Sequence, residues 1–182
     1  MKLYIMRHGQ TDWNVLRKVQ GCTDTELNEN GIKQAQNAKE KFEEYPIDVI
    51  LCSPLKRTRK TIEIMNKDKR IPVIYEEKLL ERSWGKVEGI QGEEADYFFN
   101  QHDCWNYHTN LKIKEIEPIV DCCQRVYEFI EEIKEKYAGK NVLCVTHRGI
   151  ARVINSYFIG IGENGILPRT GFENCEIREF EL

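Results

Sequence analysis

The sequence predicts a three-layer α/β/α fold, in which helices cover both faces of a mainly parallel central sheet. Two observations lead to this prediction. Short apolar runs of strand length alternate along the chain with longer segments whose apolar residues recur at helical spacing. In addition, the 182 residues contain no linker, internal repeat or low-complexity tract, so a single domain spanning residues 1–182 is expected.

The first elements follow from local signals. Residues 3–6 are an apolar run that fits a strand buried on both faces. Asn28 has the short polar side chain of a helix N-cap, and the helix after it is expected to end near Pro46. The next apolar run, residues 48–52, predicts the second strand.

A second helix and a third strand are expected next. Ser53 is predicted to cap this helix, with Pro54 at its first position and its end near Met65. The apolar run at residues 72–75 then predicts a short strand.

The second half repeats the alternation. Apolar residues recur at helical spacing after Pro118, and Gly139 supplies the stop of that helix. Residues 141–146 predict another strand, and residues 149–159 predict the helix that follows it.

The last segment, residues 175–182, predicts an edge strand, which we expect to pair in the antiparallel direction. Its apolar alternation slips between Ile177 and Phe180. A β-bulge is therefore expected in this strand.

Composition and charge exclude several classes of function. The formal net charge is -3 and the two signs are interleaved, so neither a nucleic-acid surface nor a polybasic membrane patch is expected. No apolar run approaches the roughly 18 residues of a membrane span, and the first strand begins too early for a signal peptide. We therefore expect a cytoplasmic protein, monomeric or homodimeric, whose partner is a small molecule.

The cysteines and histidines indicate no metal site. The seven cysteines are odd in number and none has the spacing of a zinc or redox motif, so free thiols are expected. Four residues separate Cys52 from Arg57, whereas a cysteine-phosphatase loop needs five between its cysteine and arginine. His102 and His108 have no partner at ligand spacing, so we predict no metal.

Polar side chains follow three of the predicted strands. Arg7 and His8 come directly after the first strand, a basic segment with Arg57 follows the second, and His147 and Arg148 follow the strand in the second half. Ligands of an open parallel sheet bind outside the carboxyl ends of its strands. We therefore expect these residues to converge on one site.

Four cations crowd the start of the helix after the second strand. Each is unfavourable by about 0.3–1 kcal/mol at an exposed helix start, and a bound anion would offset that cost. Lys56, Arg59 and Lys60 are expected to form a solvated face. Arg57 is the candidate for binding a phosphate together with backbone amides.

Five motifs occur along the chain in the order MRHGQTDWN, QGCTDTELNENGIKQA, CSPLKRTRKT, LLERSWGKVEG and VTHRG. Their combination resembles the histidine phosphatase superfamily, in its phosphoglycerate mutase-like branch. The resemblance extends over nearly the whole chain. It implies a metal-independent phosphomonoester hydrolase that acts on a small phosphorylated metabolite through a phosphohistidine intermediate.

The resemblance implies a role for each charged residue. His8 would be the nucleophile that accepts the phosphoryl group. Arg7 and Arg57 would hold the phosphoryl oxygens with their planar guanidinium groups, and His147 would donate to the same group. Glu81 would protonate the leaving oxygen and then activate water. Because these cations would stabilise the transferring group, no cofactor is expected.

The resemblance also implies a set of substrate-binding residues. Asn14 would supply a neutral donor, and Gly9, Gln20 and Gly21 would lie with it around the substrate. Arg148 departs from the family pattern, which usually has a small residue after the histidine. It could bind a second anionic group of the substrate or point outward.

Two alternative functions remain open. A phosphoglycerate mutase would use the same charged residues and return the phosphoryl group to a substrate hydroxyl. The difference would lie in the walls that exclude water, above all in a cap insertion at about 88–117, whose aromatic residues we expect mostly to pack against one another. This insertion is short compared with the mutases and no long C-terminal tail follows, which favours a phosphatase. An inert relative would bind phosphorylated ligands without turnover, but such relatives typically lack the nucleophile or an arginine.

Overall fold

The sheet of this protein has five strands in the order β3-β2-β4-β1-β5 in the computed structural model, which describes residues 1–109, 113–169 and 171–182. The strands are β1 (Lys2–Arg7), β2 (Val49–Cys52), β3 (Val73–Tyr75), β4 (Val142–Thr146) and β5 (Ile177–Glu181). The helices are α1 (Asp12–Val15), α2 (Glu29–Glu44), α3 (Lys56–Met65), α4 (Gly92–His102), α5 (Ile119–Lys136) and α6 (Arg148–Ile159). Short 3-10 turns occur at Glu77–Leu79 and Gly85–Val87.

The pairing confirms the predicted fold class. Strands β1, β2, β3 and β4 pair in parallel, and the edge strand β5 pairs antiparallel with β1. Arg7 lies beside Thr146, and Cys52 lies beside Val145. The carboxyl ends of β1, β2 and β4 therefore meet at one edge of the sheet, where the polar segments emerge.

The two faces of the sheet bury different side chains. Leu3 and Ile5 of β1 pack in a cluster with the apolar residues of α5 and α6. Tyr4 and Met6 point to the other face, where they pack with residues of α2 and α3. Because side chains alternate along a strand, each central strand supplies both faces and reads as a continuous apolar run. No helix among the described residues combines the length and apolarity needed to cross a membrane.

The predicted bulge in the last strand is wrong. The register of β5 with β1 is continuous from Ile177, opposite Met6, to Glu181, opposite Lys2. Ile177 contacts the cluster on the α2/α3 face, whereas Phe180 contacts the cluster on the α5/α6 face. The apolar alternation slips because each face of this edge strand packs one apolar side chain against a core cluster.

One helix cap is confirmed and another is wrong. Asn28 is the N-cap of α2, and its side chain accepts a hydrogen bond from the backbone nitrogen of Gly31 at 2.8 Å. The helix expected to begin at Pro54 instead begins at Lys56, with Leu55 at the N-cap and no side-chain cap. Ser53 therefore does not cap this helix, and its hydroxyl group is hydrogen-bonded to His147 instead.

The segment proposed as a cap contributes a third, smaller apolar cluster. Its buried members include Trp84, Ala95 and Ile116, and Phe99 packs edge-on to Trp84 at 4.8 Å between ring centroids. Residues 110–112 of the predicted insertion lie outside the described residues. The insertion at 88–117 and the single-domain organisation stay predictions.

Gly31 offers a test of how closely α2 holds the loop after β1. A Cβ atom at this position would collide with the backbone oxygen and nitrogen of Gln10, and neither belongs to a flexible side chain. We expect Gly31→Ala to lower the free energy of unfolding by about 1–3 kcal/mol, measured by urea denaturation. The control is Lys33→Ala on the exposed side of α2, for which a change within about 0.5 kcal/mol is expected. An unchanged stability of Gly31→Ala would mean that the loop is free to shift.

Candidate active site

Three side chains from neighbouring strand ends lie together at the carboxyl edge of the sheet. His8 follows β1, Arg57 lies in the first turn of α3 after β2, and His147 follows β4. The ring centroids of His8 and His147 are 5.2 Å apart, and Arg57 Nε is 3.2 Å from His147 Nδ1. All three side chains are buried, so the cluster lies inside the protein and is reached through a cavity.

The geometry of His8 leaves one ring nitrogen available. Nδ1 lies 2.7 Å from the carbonyl oxygen of Gly9, which can only accept, so Nδ1 carries the proton. Burial, reinforced by the charges of Arg57 and Arg7, holds the pKa of His8 well below its usual value of 6.5. His8 is therefore a neutral imidazole whose Nε2 has a free lone pair. The backbone nitrogen of His8 donates to Thr146, which fixes the ring relative to β4.

His147 is also neutral, with the opposite tautomer. Burial, reinforced by the charge of Arg57, lowers its pKa well below the usual value. Because Arg57 donates to Nδ1, the proton of the neutral ring is on Nε2, and Nε2 donates to the hydroxyl of Ser53 at 2.8 Å. Sequence reasoning missed this role of Ser53, although its position at the end of β2 could have indicated it.

Arg57 is completely buried and has no carboxylate partner in its hydrogen bonds. Nη2 donates to the carbonyl of Gly21 and Nη1 to the carbonyl of Thr23, each at 2.7 Å. Burial lowers the pKa of the guanidinium, while the charge of Glu81 opposes that effect. The loop that holds Arg57 is itself anchored by Glu88, whose carboxylate accepts from two backbone nitrogens of the loop, those of Cys22 and Thr23.

Arg7 has hydrogen-bonding capacity to spare. Its Nη1 donates to the carbonyl of Phe172 at 2.9 Å, but its buried Nε has no hydrogen-bond partner within the described residues. Burial and then the nearby charge of Arg148 lower the pKa of Arg7 to about 10, so the side chain stays protonated at neutral pH. A buried, charged donor without a partner is costly, and an anion in the cavity would satisfy it.

Glu81 is held by two backbone donors. Its carboxylate oxygens accept from the nitrogens of Arg82 at 2.9 Å and Gly149 at 3.0 Å. Burial raises the pKa of Glu81, against the opposing effect of those hydrogen bonds and of the nearby arginines. A raised pKa favours a carboxyl group that retains a proton until it is needed.

A cavity of about 570 Å³ joins these residues. Arg7, His8, Arg57 and Glu81 line it, as do Asn14, Gln20, Gly21 and Arg148 from the predicted substrate-binding set. Gly9 and His147 are not among the described residues that line it. Gly9 instead accepts from His8 and donates its backbone nitrogen to Thr61, so it positions the nucleophile.

Asn14 and Gln20, the neutral side chains of the predicted substrate-binding set, are held in place by hydrogen bonds within the protein. Asn14 Oδ1 accepts from the backbone nitrogen of Thr11 in a capping box at the start of α1. Gln20 Oε1 accepts from the hydroxyls of Thr11 and Thr25. Arg152, Arg169 and Asn174 also line the cavity, and no sequence pattern had indicated them.

The remaining histidines and the cysteines lie outside this cluster. His102 packs against Phe98 with ring centroids 4.6 Å apart, and His108 is exposed. All seven cysteines are free thiols, as expected, and most are buried. Within residues 1–109, 113–169 and 171–182, no three His, Cys, Asp or Glu side chains are grouped so that they could hold a metal ion.

Comparison with known proteins identifies the family. The histidine phosphatase superfamily (branch 1) matches residues 3–182 of this chain, which therefore belongs to that superfamily.

The relatives include both phosphatases and mutase-like proteins. Phosphatase PhoE of Bacillus subtilis (strain 168) is 33% identical over 143 residues, which cover 79% of this chain and 69% of the relative. Phosphoglycerate mutase-like protein 4 of Arabidopsis thaliana is 30% identical over 159 residues, 83% of this chain and 68% of the relative. The solved structure of Bacillus stearothermophilus YhfR has a TM-score of 0.88 and 27% identity, covering 100% of this chain and 91% of that one. These similarities support an enzyme of phosphatase or mutase type.

The lowered pKa of His8 predicts a pH dependence of stability. As pH falls below about 6.5, the unfolded chain protonates this histidine while the folded protein keeps it neutral, so the folded state loses stability. The loss grows by about 1.4 kcal/mol for each pH unit over which the folded protein keeps the histidine neutral. When urea denaturation at about pH 7.5 is compared with that at about pH 5, wild type should therefore lose more stability than His8→Gln.

The matched control is His108→Gln, which replaces an exposed histidine away from the cavity. This variant should lose as much stability on acidification as wild type does. If His8→Gln did the same, His8 would not be held neutral by its surroundings.

Proposed function

We propose that this protein is a phosphomonoester hydrolase that acts on a small phosphorylated metabolite through a phosphohistidine intermediate on His8. The observation that carries this proposal is a neutral His8, with its Nε2 free, in a cavity lined by Arg7 and Arg57. A neutral imidazole is a nucleophile, and two guanidinium groups beside it suit the charge of a phosphoryl group.

In the first step, His8 Nε2 attacks phosphorus and a nitrogen–phosphorus bond forms. The bond from phosphorus to the ester oxygen breaks, and its electron pair goes to that oxygen. Glu81 supplies the proton that turns the leaving oxygen into an alcohol. Arg7 and Arg57 stabilise the negative charge on the three phosphoryl oxygens throughout.

In the second step, a water molecule replaces the alcohol. The Glu81 carboxylate takes a proton from the water as its oxygen attacks phosphorus. The nitrogen–phosphorus bond breaks, its electron pair returns to His8 Nε2, and inorganic phosphate leaves. His8 is again neutral and Glu81 is again protonated, as they were at the start.

The cations of the site make metal independence part of the proposal. Arg7 and Arg57 supply the positive charge that a divalent ion provides in other phosphoryl-transfer enzymes. His147 Nδ1 accepts a hydrogen bond from Arg57 Nε, and His147 Nε2 donates its proton to the hydroxyl of Ser53. Its donation to the phosphoryl group therefore requires that bond to Ser53 to be exchanged.

Hydrolysis is favoured over mutase activity by the access of water. Arg17, Arg148 and Arg169 line the cavity and are all exposed, so the cavity opens to solvent. A mutase has to protect its phosphohistidine from water until a substrate hydroxyl accepts the group.

The first test is hydrolysis of para-nitrophenyl phosphate at mildly acidic pH with EDTA present. Wild type should turn the ester over, His8→Ala should be inactive, and Arg57→Ala should lose on the order of 100-fold or more in kcat. Activity that survives in His8→Ala would exclude the mechanism. If wild type is inactive, a bisphosphoglycerate-primed mutase assay separates a mutase from a protein that binds phosphate without turnover.

The second test addresses Glu81 through the basicity of the leaving group. An alkyl phosphate needs a proton on its leaving oxygen, whereas para-nitrophenolate leaves readily without one. We expect Glu81→Gln to lose on the order of 100-fold or more in kcat on an alkyl phosphate and much less on para-nitrophenyl phosphate. Exposed Glu77→Gln is the matched control. Equal losses on both substrates would refute the role of general acid.

A further inference from the structure

The wall of the cavity beyond the phosphoryl-binding arginines carries three more arginines. Arg148 and Arg152 lie four residues apart on α6, so they share one face of the helix. Arg169 comes from the segment before β5. All three line the cavity, and the mechanism proposed above uses none of them.

No carboxylate within the described residues forms an ion pair with these three side chains. Arg148 and Arg169 form no hydrogen bond or ion pair within the described part of the chain, and the ion pairs found there do not include Arg152. By contrast, Arg17, which lines the same cavity, is paired with Asp96 at 2.7 Å. The positive charges of Arg148, Arg152 and Arg169 are therefore available to bind an anionic ligand.

Arg152 is held in place without losing its charge. Its Nε and Nη2 both donate to the carbonyl of Leu167, and its guanidinium lies over the ring of Trp105 at 4.5 Å. Burial, and then repulsion by Arg169 and Arg148, lowers its pKa to about 10, so it stays protonated at neutral pH. Its Nη1 remains available as a donor on a fixed side chain, which reduces the entropy lost on binding an anion.

The three arginines continue the positive field of the phosphoryl site. Arg148 directly follows His147, and its charge lowers the pKa of Arg7. Arg148 is therefore beside the phosphoryl-binding end, and Arg152 lies about 6 Å further along α6, just over one helical turn away. An anionic group bound by Arg148 and Arg152 would be joined to the phosphoryl group by only a short chain of atoms.

We propose that Arg148, Arg152 and Arg169 form a subsite for a second anionic group, so that the substrate is a short-chain phosphomonoester bearing a carboxylate or a second phosphate. The subsite rests on the proposed function because it takes the phosphoryl group to be bound at the His8 end. Mutual repulsion of the three arginines is relieved when the second anion binds. Neutral phosphomonoesters lack that contribution and bind more weakly.

The test measures binding rather than turnover, by isothermal titration calorimetry with three phosphonates. Propylphosphonate ends in a methyl group, phosphonopropanoate ends in a carboxylate, and propylene bisphosphonate ends in a second phosphonate. Phosphonates have carbon in place of the ester oxygen, so they are not hydrolysed. Wild type should bind the better of the two anionic probes at least about tenfold more tightly than propylphosphonate. Which of the two it prefers distinguishes a carboxylate from a phosphate as the second group.

Substitutions assign that preference to the arginines. Arg148→Met and Arg152→Met should each lower the ratio of anionic to neutral affinity by about tenfold, while methionine keeps most of the apolar stem. Arg70→Met is the matched control, because Arg70 is an exposed arginine outside the cavity and its removal should leave the ratio unchanged. Should Arg152→Met fail to fold, Arg148→Met and Arg169→Met carry the test, since both side chains are exposed and make no hydrogen bonds within the described residues.

The outcomes separate this proposal from the proposed function. Equal affinities of wild type for the three phosphonates, a preference that survives the substitutions, or no binding of any probe would each overturn the subsite. An arginine-dependent preference without hydrolysis of para-nitrophenyl phosphate would support the subsite and refute the hydrolase. Hydrolysis of para-nitrophenyl phosphate with no preference among the phosphonates would support the hydrolase and refute the subsite.

Discussion

The site depends on buried and half-buried arginines that donate to backbone carbonyl oxygens and have no carboxylate hydrogen-bond partner within the described residues. The arginines and their acceptors are Arg7 with Phe172, Arg57 with Gly21 and Thr23, Arg82 with Cys104 and Glu117, and Arg152 with Leu167. A carboxylate partner would cancel the charge of a guanidinium, whereas a carbonyl dipole stabilises it and leaves its net charge in place. Away from the cavity, an arginine does have a carboxylate partner: Arg125 forms an ion pair with Glu117 at 2.8 Å.

This arrangement also explains how the loops around the site are ordered. Each acceptor carbonyl belongs to an irregular segment, so Arg7, Arg57 and Arg152 tie such segments to the cavity, while Arg82 ties two of them to each other. The clearest case is the loop that contains Gly21, which donates two backbone nitrogens to Glu88 and gives two carbonyls to Arg57. Positive φ at Gly21 places its Cβ position against the Glu88 side chain, where only glycine fits. The loop therefore hydrogen-bonds both the carboxylate of Glu88 and the guanidinium of Arg57. Its ordered conformation depends on these two charged groups.

Patterns along the chain predicted the parts of this structure that are local. Periodicity located the strands and most helices, and the rule for parallel sheets indicated that residues after the strand ends would share one edge. The errors have physical reasons: Ser53 before Pro54 has the chemistry of a helix cap, yet its hydroxyl is used by His147. Arg152 and Asn174 could not be found, because only the tertiary fold brings the face of α6 and the segment before β5 to the cavity.

Burial sets the protonation states on which the proposed chemistry depends. In water at mildly acidic pH, a glutamate is ionised and a histidine is protonated, which is the wrong combination for a general acid and a nucleophile. In this cavity, loss of solvent is the largest cause of both the raised pKa of Glu81 and the lowered pKa of His8, since burial disfavours the charged form of either group. The nearby arginines reinforce the effect on His8 and moderate the effect on Glu81. One property of the fold, a buried and cationic strand end, thus favours a neutral nucleophile together with a carboxyl group that can give up a proton.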